Sequence, residues 1–368
     1  MKAKLFSYIL LCGTLTVSAQ KLEVGTYTFK DGGIYSGTLV SGRPNGKGKT
    51  RYADGSTYDG EYFKGQRHGE GVFTSAKGER YEGDWVKDER NGRGVYYAVN
   101  NNRYEGLWYR NMKKGQGKMF YYNGDIYEGN WENDKRNGKG KYTYKSGAFY
   151  EGNWVNDQKS GEGVFDWNDG SKYNGTWVAN LRNGRGAYYY ADGDVYTGEW
   201  KDDMQHGRGI YMFKNGDKYE GAYAYGQRTG EGVFSFKNGD KYVGNFLNGE
   251  QSGKGVFTWR EGAVYDGTWQ NDKRNGFGRY KWKNGDVYEG YWKDNLMEGE
   301  GTLSFANGDK FKGSFKGGER HGRGIEVKAD GTRIVCNYEM GRKDGDYKEY
   351  DRNGNLVKEG TYRNGRLN

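Results

Sequence analysis

Polar and apolar residues alternate along most of this chain with a period of two, the pattern of β-strands that bury one face. In the segment 194–216, Tyr196, Gly198 and Trp200 fall on one side of a predicted strand, and the residues between them are polar. One face of the following strand carries Gly207, Gly209, Tyr211 and Phe213. Each of the two strands therefore presents a face made of rings and glycines.

The same pattern returns every 23 residues without insertion, which indicates a repeat architecture. The ring that opens each unit is found at Tyr35, Tyr58, Tyr81, Tyr104, Tyr127, Tyr150, Tyr173, Tyr196, Tyr219, Tyr242, Tyr265 and Tyr288, and Phe311 and Ile334 continue the register. A glycine follows two residues later in each unit from Gly37 to Gly313, and usually an aromatic ring two residues after that. Thirteen full units therefore span residues 35–333.

An Asn-Gly pair separates many units and is a hairpin signal. If residues 214–216 form a three-residue loop with Gly216 in the left-handed region, the aromatic set stays on one face. This loop predicts the cross-strand pairs Tyr211–Tyr219, Gly209–Gly221 and Gly207–Tyr223. A two-residue loop would divide the rings between both faces.

Within the unit, the polar stretch 201–206 is predicted to be a six-residue loop. That loop would place Trp200 opposite Gly207 and Tyr196 opposite Tyr211. Because glycine lacks a side chain, it leaves room for a neighbouring ring, which in turn shields the bare backbone. The sequence therefore predicts an all-β fold, an elongated antiparallel β-meander or solenoid of 23-residue β-hairpin repeats.

The composition supports a thin structure with one buried layer. The chain has 368 residues, of which 66 are glycine and only 33% are hydrophobic, so a single thick core is not expected. Aromatic residues make up 17% of the chain and only one proline is present, which argues against disorder and against a collagen-like chain. The unbroken spacing also argues against a disordered nucleic-acid-binding segment.

The N-terminus has the features of a secretory signal. Lys2 and Lys4 precede a short apolar run at 5–17, and small residues favour cleavage between Ala19 and Gln20. The run is too short to span a bilayer comfortably. We expect export, with the mature chain periplasmic, associated with the outer envelope or secreted. Removing residues 1–19 takes away two lysines and no acid, so the formal charge falls from +9 to +7.

The segments YEGDWVKDERNGRGVYY, YEGNWENDKRNGKGKYTY and YEGYWKDNLMEGEGTLSF resemble MORN repeats, the "membrane occupation and recognition nexus" motif. The tail after residue 340 resembles a bacterial variant of the motif, so the chain is similar to an exported bacterial type. In this tail region Cys336 and Tyr347 replace expected glycines. The resemblance implies protein contact, self-association or membrane association.

These features divide the chain into four segments. They are a signal peptide at 1–19, an N-terminal half repeat at 20–34, thirteen MORN repeats at 35–333 and degenerate C-terminal capping repeats at 334–368.

No pattern in the sequence indicates catalysis, and we predict that the protein is not an enzyme. His68, His206 and His321 occupy one position of different repeats, which is interpreted as a loop position. They are too far apart to share a metal. Cys336 is the only cysteine after the signal, so no intrachain disulfide is expected. We expect no cofactor and no metal.

The predicted function is an elongated protein-interaction scaffold that binds one or more protein partners or itself, and no nucleic acid. The repeat aromatics that would pack the sheet or line a groove are Tyr81, Trp85, Tyr104, Trp108, Tyr127, Trp131, Tyr150, Trp154, Tyr173, Trp177, Tyr196 and Trp200. Two alternatives stay open. One is peripheral binding to an anionic membrane surface through Lys135, Arg136, Lys273 and Arg274. The other is a glycan-binding aromatic groove.

Overall fold

The computed structural model describes residues 22–363 and 365–367, and every regular element in this part of the chain is a β-strand. The predicted signal segment 1–19 and the cleavage site between Ala19 and Gln20 lie outside the described residues. The chain divides into two compact units. Of the described residues, the first unit comprises 22–146 and 154–157, and the second comprises 147–153, 158–363 and 365–367.

In the first unit each strand pairs antiparallel with the next along the chain. Its strands are β1 (Leu22–Thr28), β2 (Ile34–Val40), β3 (Arg43–Arg51), β4 (Thr57–Phe63), β5 (Gln66–Thr74), β6 (Arg80–Val86), β7 (Glu89–Tyr97), β8 (Arg103–Tyr109), β9 (Met112–Phe120), β10 (Ile126–Glu132) and β11 (Lys135–Thr143). Strand β12 (Phe149–Val155) has residues in both units.

The second unit repeats the same meander of sequential antiparallel pairs. Its strands are β13 (Gln158–Asp166), β14 (Lys172–Val178), β15 (Leu181–Tyr189), β16 (Val195–Lys201), β17 (Met204–Met212), β18 (Lys218–Ala224), β19 (Gln227–Ser235), β20 (Lys241–Leu247), β21 (Glu250–Thr258), β22 (Val264–Gln270), β23 (Lys273–Lys281), β24 (Val287–Lys293), β25 (Leu296–Ser304), β26 (Lys310–Lys316), β27 (Glu319–Val327), β28 (Arg333–Glu339), β29 (Arg342–Tyr350), β30 (Leu356–Arg363) and β31 (Arg366–Leu367). Each repeat thus supplies one seven-residue and one nine-residue strand, and the predicted all-β meander of hairpin repeats is confirmed.

The loop between repeats is the predicted three-residue turn. Between β17 and β18, the N–H of Phe213 donates to the carbonyl of Asp217 at 3.0 Å, which leaves residues 214–216 as the loop. Gly216 has a φ of 94°, a left-handed conformation that glycine adopts at no steric cost. The pairs Tyr211–Tyr219, Gly209–Gly221 and Gly207–Tyr223 are all present, so this register is confirmed.

The six-residue loop predicted within the repeat is wrong. Strands β16 and β17 continue to a two-residue turn at Asp202 and Asp203, whose φ values are 49° and 67°. Trp200 consequently pairs with Gln205 and not with Gly207, although Tyr196 does pair with Tyr211.

The strands reach this tight turn because a bulge after Gly198 shifts their register. Gly207 lies in the bulge with a φ of 59°. The same change moves the three histidines out of the predicted loop. His68, His206 and His321 lie within β5, β17 and β27, at the start of each nine-residue strand.

Candidate interaction surface

The core of each repeat is one tyrosine that lies over a glycine of the paired strand. Tyr196 is fully buried, and its hydroxyl donates to the carbonyl of Glu199 at 2.9 Å. A Cβ atom placed on Gly209 would lie 2.5 Å from the Tyr196 ring, so this glycine is required for the ring to fit. Twelve tyrosines occupy this position and all have an exposed fraction of 1% or less.

In most repeats a tryptophan joins the repeat to the one before it. Trp200 packs edge-on against Tyr196 of its own repeat at 5.2 Å and against Tyr173 of the preceding repeat at 5.4 Å, measured between ring centroids. Its indole N–H donates to the carbonyl of Gly186 at 3.2 Å. Such edge-to-face pairs add stability beyond their buried area. The tyrosines and tryptophans therefore form the structural layer of the sheet.

A second set of rings lies on the same face, and most of its members are only partly buried. It comes from the fifteenth and seventeenth residues after each repeat tyrosine, and we call its continuous stretch in the second unit the aromatic row. The aromatic row consists of Phe165, Trp167, Tyr188, Tyr190, Tyr211, Phe213, Phe234, Phe236, Phe257, Trp259, Tyr280 and Trp282, whose successive ring centroids are 4.5 to 5.7 Å apart.

The first unit has a much shorter version of this feature. Tyr121, Tyr142 and Tyr144 are in contact at 5.6 and 4.8 Å. Upstream of them, Ser75 and Ala98 take the place of rings. The extended aromatic surface is therefore a property of the second unit.

Cationic side chains lie between the rings. They come from the ninth residue after the repeat tyrosine, namely Arg67, Arg90, Lys113, Arg136, Lys159, Arg182, Arg228, Arg274, Arg320 and Lys343. Where the next repeat supplies a tryptophan, the cation lies 4.2 to 4.6 Å from its centroid. This geometry is that of cation–π interactions, which gain strength when they are shielded from water.

The electrostatics of this set follow from its burial. Burial over the rings lowers the pKa of Lys159 to about 8, with Arg182 acting in the same direction and Asp203 against it. Burial also lowers the pKa of Arg90 and Arg274. These side chains are held by aromatic faces more than by carboxylates.

The aromatic row borders a groove of about 640 Å³ in the second unit. Phe213, Phe236 and Trp259 line it, with Arg228 and Arg274 among the polar side chains at its walls. A volume of this size is suited to side chains of a bound segment. It is the strongest candidate for an interaction site on the tyrosine face.

The opposite face carries different surfaces in each unit. In the first unit a groove of about 770 Å³ has glycines at its floor and Glu70, Glu82 and Arg93 among its lining residues. In the second unit Phe277 and Tyr291 form an exposed ring pair with centroids 5.6 Å apart.

The structure places the predicted aromatic residues in the buried layer. The twelve residues Tyr81, Trp85, Tyr104, Trp108, Tyr127, Trp131, Tyr150, Trp154, Tyr173, Trp177, Tyr196 and Trp200 are all buried. These twelve rings pack inside the sheet and are not available for contact with a partner. The rings that remain partly exposed belong to the aromatic row. The 23-residue recurrence of rings at these later positions is the sequence signal that identifies the aromatic row.

The four predicted membrane-contact residues fall into two pairs. Arg136 lies 4.3 Å from the Trp154 ring and pairs with Asp157 at 2.9 Å. Arg274 likewise lies 4.5 Å from a tryptophan ring. Lys135 and Lys273 are exposed, and Lys273 pairs with an aspartate at 3.2 Å. Contact with an anionic surface stays a prediction.

Within residues 22–363 and 365–367, no group of three or more His, Cys, Asp or Glu side chains is arranged to hold a metal ion. The same part of the chain has no helix whose length and apolar character would let it cross a bilayer. Cys336 is a buried free thiol.

Comparison with protein families gives a match to the MORN repeat over most of the chain. The matched windows are residues 35–57, 58–80, 81–103, 104–126, 127–149, 150–172, 173–195, 196–218, 219–241, 242–264, 265–287, 288–310 and 311–333. Repeats of this type are generally non-enzymatic and commonly mediate protein or membrane interactions. A search of the curated proteins found no significant match.

Several solved β-structures are similar at low identity. The TCP domain of Drosophila melanogaster SAS-4 (dCPAP), in complex with a proline-rich motif of Ana2 (dSTIL), is 14% identical with a TM-score of 0.29, over 48% of this chain and 90% of that one. The TCP10 domain of Danio rerio CPAP with a STIL peptide is 11% identical with a TM-score of 0.24, over 81% and 98%. Virginiamycin B lyase from Staphylococcus aureus is 12% identical with a TM-score of 0.13, over 90% and 96%. Scores this low carry no argument about this chain.

Proposed function

The chain belongs to the MORN-repeat family, and from this premise we propose that it is a non-catalytic, exported scaffold that binds a protein partner. A repeat-based binding scaffold is the general role of such repeats. The partner, the export and the absence of catalysis are the proposed part.

The observation that carries the proposal is the aromatic row of the second unit. Its rings are in unbroken contact from Phe165 to Trp282, yet most of them remain partly exposed on the sheet face. Aromatic and arginine side chains are enriched at the centres of protein interfaces, where they contribute most of the binding energy. A groove that combines both types of side chain favours a protein partner with apolar side chains.

Binding to an anionic membrane receives less support from the same surface. Two of its four expected contact residues, Arg136 and Arg274, lie against tryptophan rings and are not free to reach a lipid headgroup. The exposed Lys135 and Lys273 are left for such contact. A glycan-binding role is favoured only by the exposed ring pair on the opposite face, Phe277 and Tyr291.

Export is proposed from the charged and apolar pattern of residues 1–19 and the small residues before Gln20. Mass spectrometry of the protein isolated from its native cells should give a chain that starts at Gln20. A chain that retains its first 19 residues in the cytoplasmic fraction would contradict export.

Partner capture tests the scaffold proposal. The mature chain is immobilised and exposed to native envelope and culture-supernatant proteins at low and high salt. We expect a specific protein to remain bound at high salt, because burial of apolar surface is not screened by ions. The double variant Phe236→Ser and Trp259→Ser should release it, since both side chains line the groove.

Val243→Ser is the matched control, because Val243 is exposed on the opposite face of the same unit. It should capture the partner as the native chain does. Failure to retain any specific protein would contradict the scaffold proposal. Salt-sensitive sedimentation with anionic but not neutral liposomes would instead support the membrane alternative, and glycan-array binding lost in Tyr291→Ser would support the glycan alternative.

A further inference from the structure

In several repeats an arginine side chain occupies the space between three aromatic rings. In the repeat that begins at Tyr173, the guanidinium of Arg182 lies 5.8 Å from the Tyr173 ring, 5.2 Å from Tyr188 and 4.4 Å from Trp200. Its Nε donates to Oδ1 of Asp203 and its Nη2 donates to the Asp203 carbonyl oxygen, each at 2.9 Å. We call this arrangement of three rings and one carboxylate a ring cage.

Two further ring cages have the same composition. Arg67 and Arg136 lie over three rings each and donate to Asp88 and Asp157 through Nε and Nη2. The arrangement is therefore a recurrent way in which this chain binds its own guanidinium groups. Planar guanidinium groups suit it because they stack on rings and form directed bonds to a carboxylate at the same time.

The repeat that begins at Tyr242 has all the parts of a ring cage except the cation. Trp269 lies 5.4 Å from Tyr242 at an interplanar angle of 85°, and 6.1 Å from Phe257 at 37°. The equivalent ring pairs around Arg182 have centroid distances of 5.4 and 6.1 Å and angles of 83° and 43°. The ring geometry is thus the same in both repeats.

The carboxylate is also in place. Oδ1 of Asp272 accepts the backbone N–H of Gln251 at 2.7 Å, as Oδ1 of Asp203 accepts that of Arg182 at 2.8 Å. Gln251, which takes the position of the arginine, is shorter and uncharged. Among the described residues, no Lys, Arg or His side chain forms an ion pair with the Asp272 carboxylate. A guanidinium that entered this repeat would meet a carboxylate with no cation already paired to it.

This cage opens into the groove. Gln251, Phe257, Trp269 and Asp272 all line the volume of about 640 Å³. Asp272 is exposed, so a side chain entering from solvent can reach its carboxylate. The site is therefore accessible from outside the protein.

We propose that the ring cage at Gln251 binds the guanidinium group of an arginine from the protein partner. The inference rests on the proposed scaffold function and names the chemistry of one anchor of the partner. The arginine would stack on Trp269 and Phe257 and donate to the Asp272 carboxylate. Lysine fits the precedent less well, because Lys113 contacts the Asp134 carboxylate through its backbone N–H, which donates to Oδ1 at 2.9 Å, and not through a directed side-chain pair like that of Arg182.

Three other repeats also lack the cation but do not form such a site. Their residues at the same position are Pro44, Gln205 and Met297, and the residues equivalent to Asp272 are Gly65, Gly226 and Gly318. Without a carboxylate, these positions offer no charge to a guanidinium. The neighbouring cations Arg228 and Arg274 do not preclude binding, since the chain itself places cations in successive repeats elsewhere.

The test uses the full chain labelled with 5-fluorotryptophan and observed by fluorine NMR, with the Trp269 signal assigned from Trp269→Phe. The probe is Nα-acetyl-arginine amide, and its uncharged analogue Nα-acetyl-citrulline amide is the control ligand. We expect a saturable shift of the Trp269 signal by the arginine probe, with an affinity of about millimolar for so small a ligand. The citrulline analogue should bind about tenfold more weakly or not at all.

Gln251→Arg is the decisive variant, because it supplies the guanidinium from the chain itself. It should abolish the response to the probe and raise the unfolding midpoint. Gln205→Arg adds the same side chain at the equivalent position of another repeat and should leave the Trp269 response unchanged. Asp272→Asn should weaken probe binding about fivefold to tenfold, since it removes the charge and keeps the shape.

Three results would overturn the inference. They are no saturable shift with the arginine probe, an equal response to citrulline, and an unchanged response in a folded Gln251→Arg variant. Stronger binding of phosphatidylcholine vesicles than of the arginine probe would also overturn it in favour of a choline headgroup. Partner capture by Gln251→Arg separates the two proposals: full capture would reject the cage as an anchor while the scaffold function stands.

Discussion

The repeat that begins at Tyr196 and the repeat that begins at Ile334 share one backbone register but fill their cores differently. In the first, Gly198 pairs with Gly209 beneath the tyrosine ring. In the second, the equivalent pair is Cys336 and Tyr347, and both side chains are buried. The same backbone therefore accepts either a large opening ring over two glycines or a small opening residue beside two larger side chains.

The hydrogen bond of the missing tyrosine is also replaced. The Tyr196 hydroxyl donates to the carbonyl of the residue three positions later, Glu199. Ile334 has no hydroxyl, and the Cys336 thiol donates to the equivalent carbonyl, that of Asn337, at 3.2 Å. Gly198 and Gly209 are therefore required by the Tyr196 ring that packs over them, and not by the conformation of the strands that contain them.

The largest expected effect comes from breaking the regular arrangement at its glycine. In Gly209→Ala the new Cβ would lie 2.5 Å from the buried Tyr196 ring, which cannot move out of its layer. We expect the free energy of unfolding of the second unit to fall by about 3 kcal/mol, measured by urea denaturation and by hydrogen exchange of β16 and β17. Arg208→Ala, exposed on the opposite face, should change it by less than about 0.5 kcal/mol. Equal effects of the two changes would contradict the ring–glycine account.

A second experiment converts the last repeat into a regular one. Ile334→Tyr alone places a ring where Cys336 and Tyr347 already fill the space, and should destabilise the second unit by about 2 kcal/mol. Adding Cys336→Gly and Tyr347→Gly should restore most of the loss. Thermal and urea unfolding of the single and triple variants measure the difference, and a triple variant less stable than the single one would show that the two core solutions are not interchangeable.

The smallest expected effect on the free energy of unfolding comes from the ion pairs of Glu326. In the repeat before Ile334, Glu326 replaces a ring of the fifteenth position and pairs with Arg320 at 2.9 Å and Lys343 at 3.1 Å. Burial alone would raise its pKa, but Lys343, the Tyr338 hydroxyl and Arg320 lower it below the usual value of 4.5. Because the folded-state pKa is depressed, the stabilisation is present above pH 4.5 and is lost as the pH falls through the folded-state pKa.

Glu326→Gln should therefore lower the free energy of unfolding by about 1.5 kcal/mol at pH 7. The difference from the native chain should shrink as the pH falls below about 4.5. Denaturant unfolding of both proteins between pH 3 and 7 checks this, and a difference that is constant across the range would contradict the assigned ion pairs. Phe234→Leu, at the equivalent position of a regular repeat, should show no such acid dependence, because the Phe234 ring forms no hydrogen bond to a carboxylate.

The sequence was sufficient for the features that depend on neighbours along the chain. The 23-residue period, the loop at residues 214–216 and the pairing of Gly209 with Gly221 follow from alternation and from the conformational demands of Gly216. The close fit of Tyr196 over Gly209 follows from the same alternation. Each of these is set within one hairpin of adjacent strands, where the pattern alone fixes which residues meet.

The tertiary structure decided the features that depend on contact between repeats. A bulge at Gly207 shifts the strands and brings the turn at Asp203 beside Arg182 of the preceding repeat, 21 residues away. In a strand with alternating polar and apolar residues, a charged residue is expected to face solvent. Only the shift of the strands shows that Arg182 lies among aromatic rings. The position of Gln251 beside Asp272 follows from the same cause. The bulge changes the register by two residues, which keeps every side chain on its face, so alternation alone does not specify it.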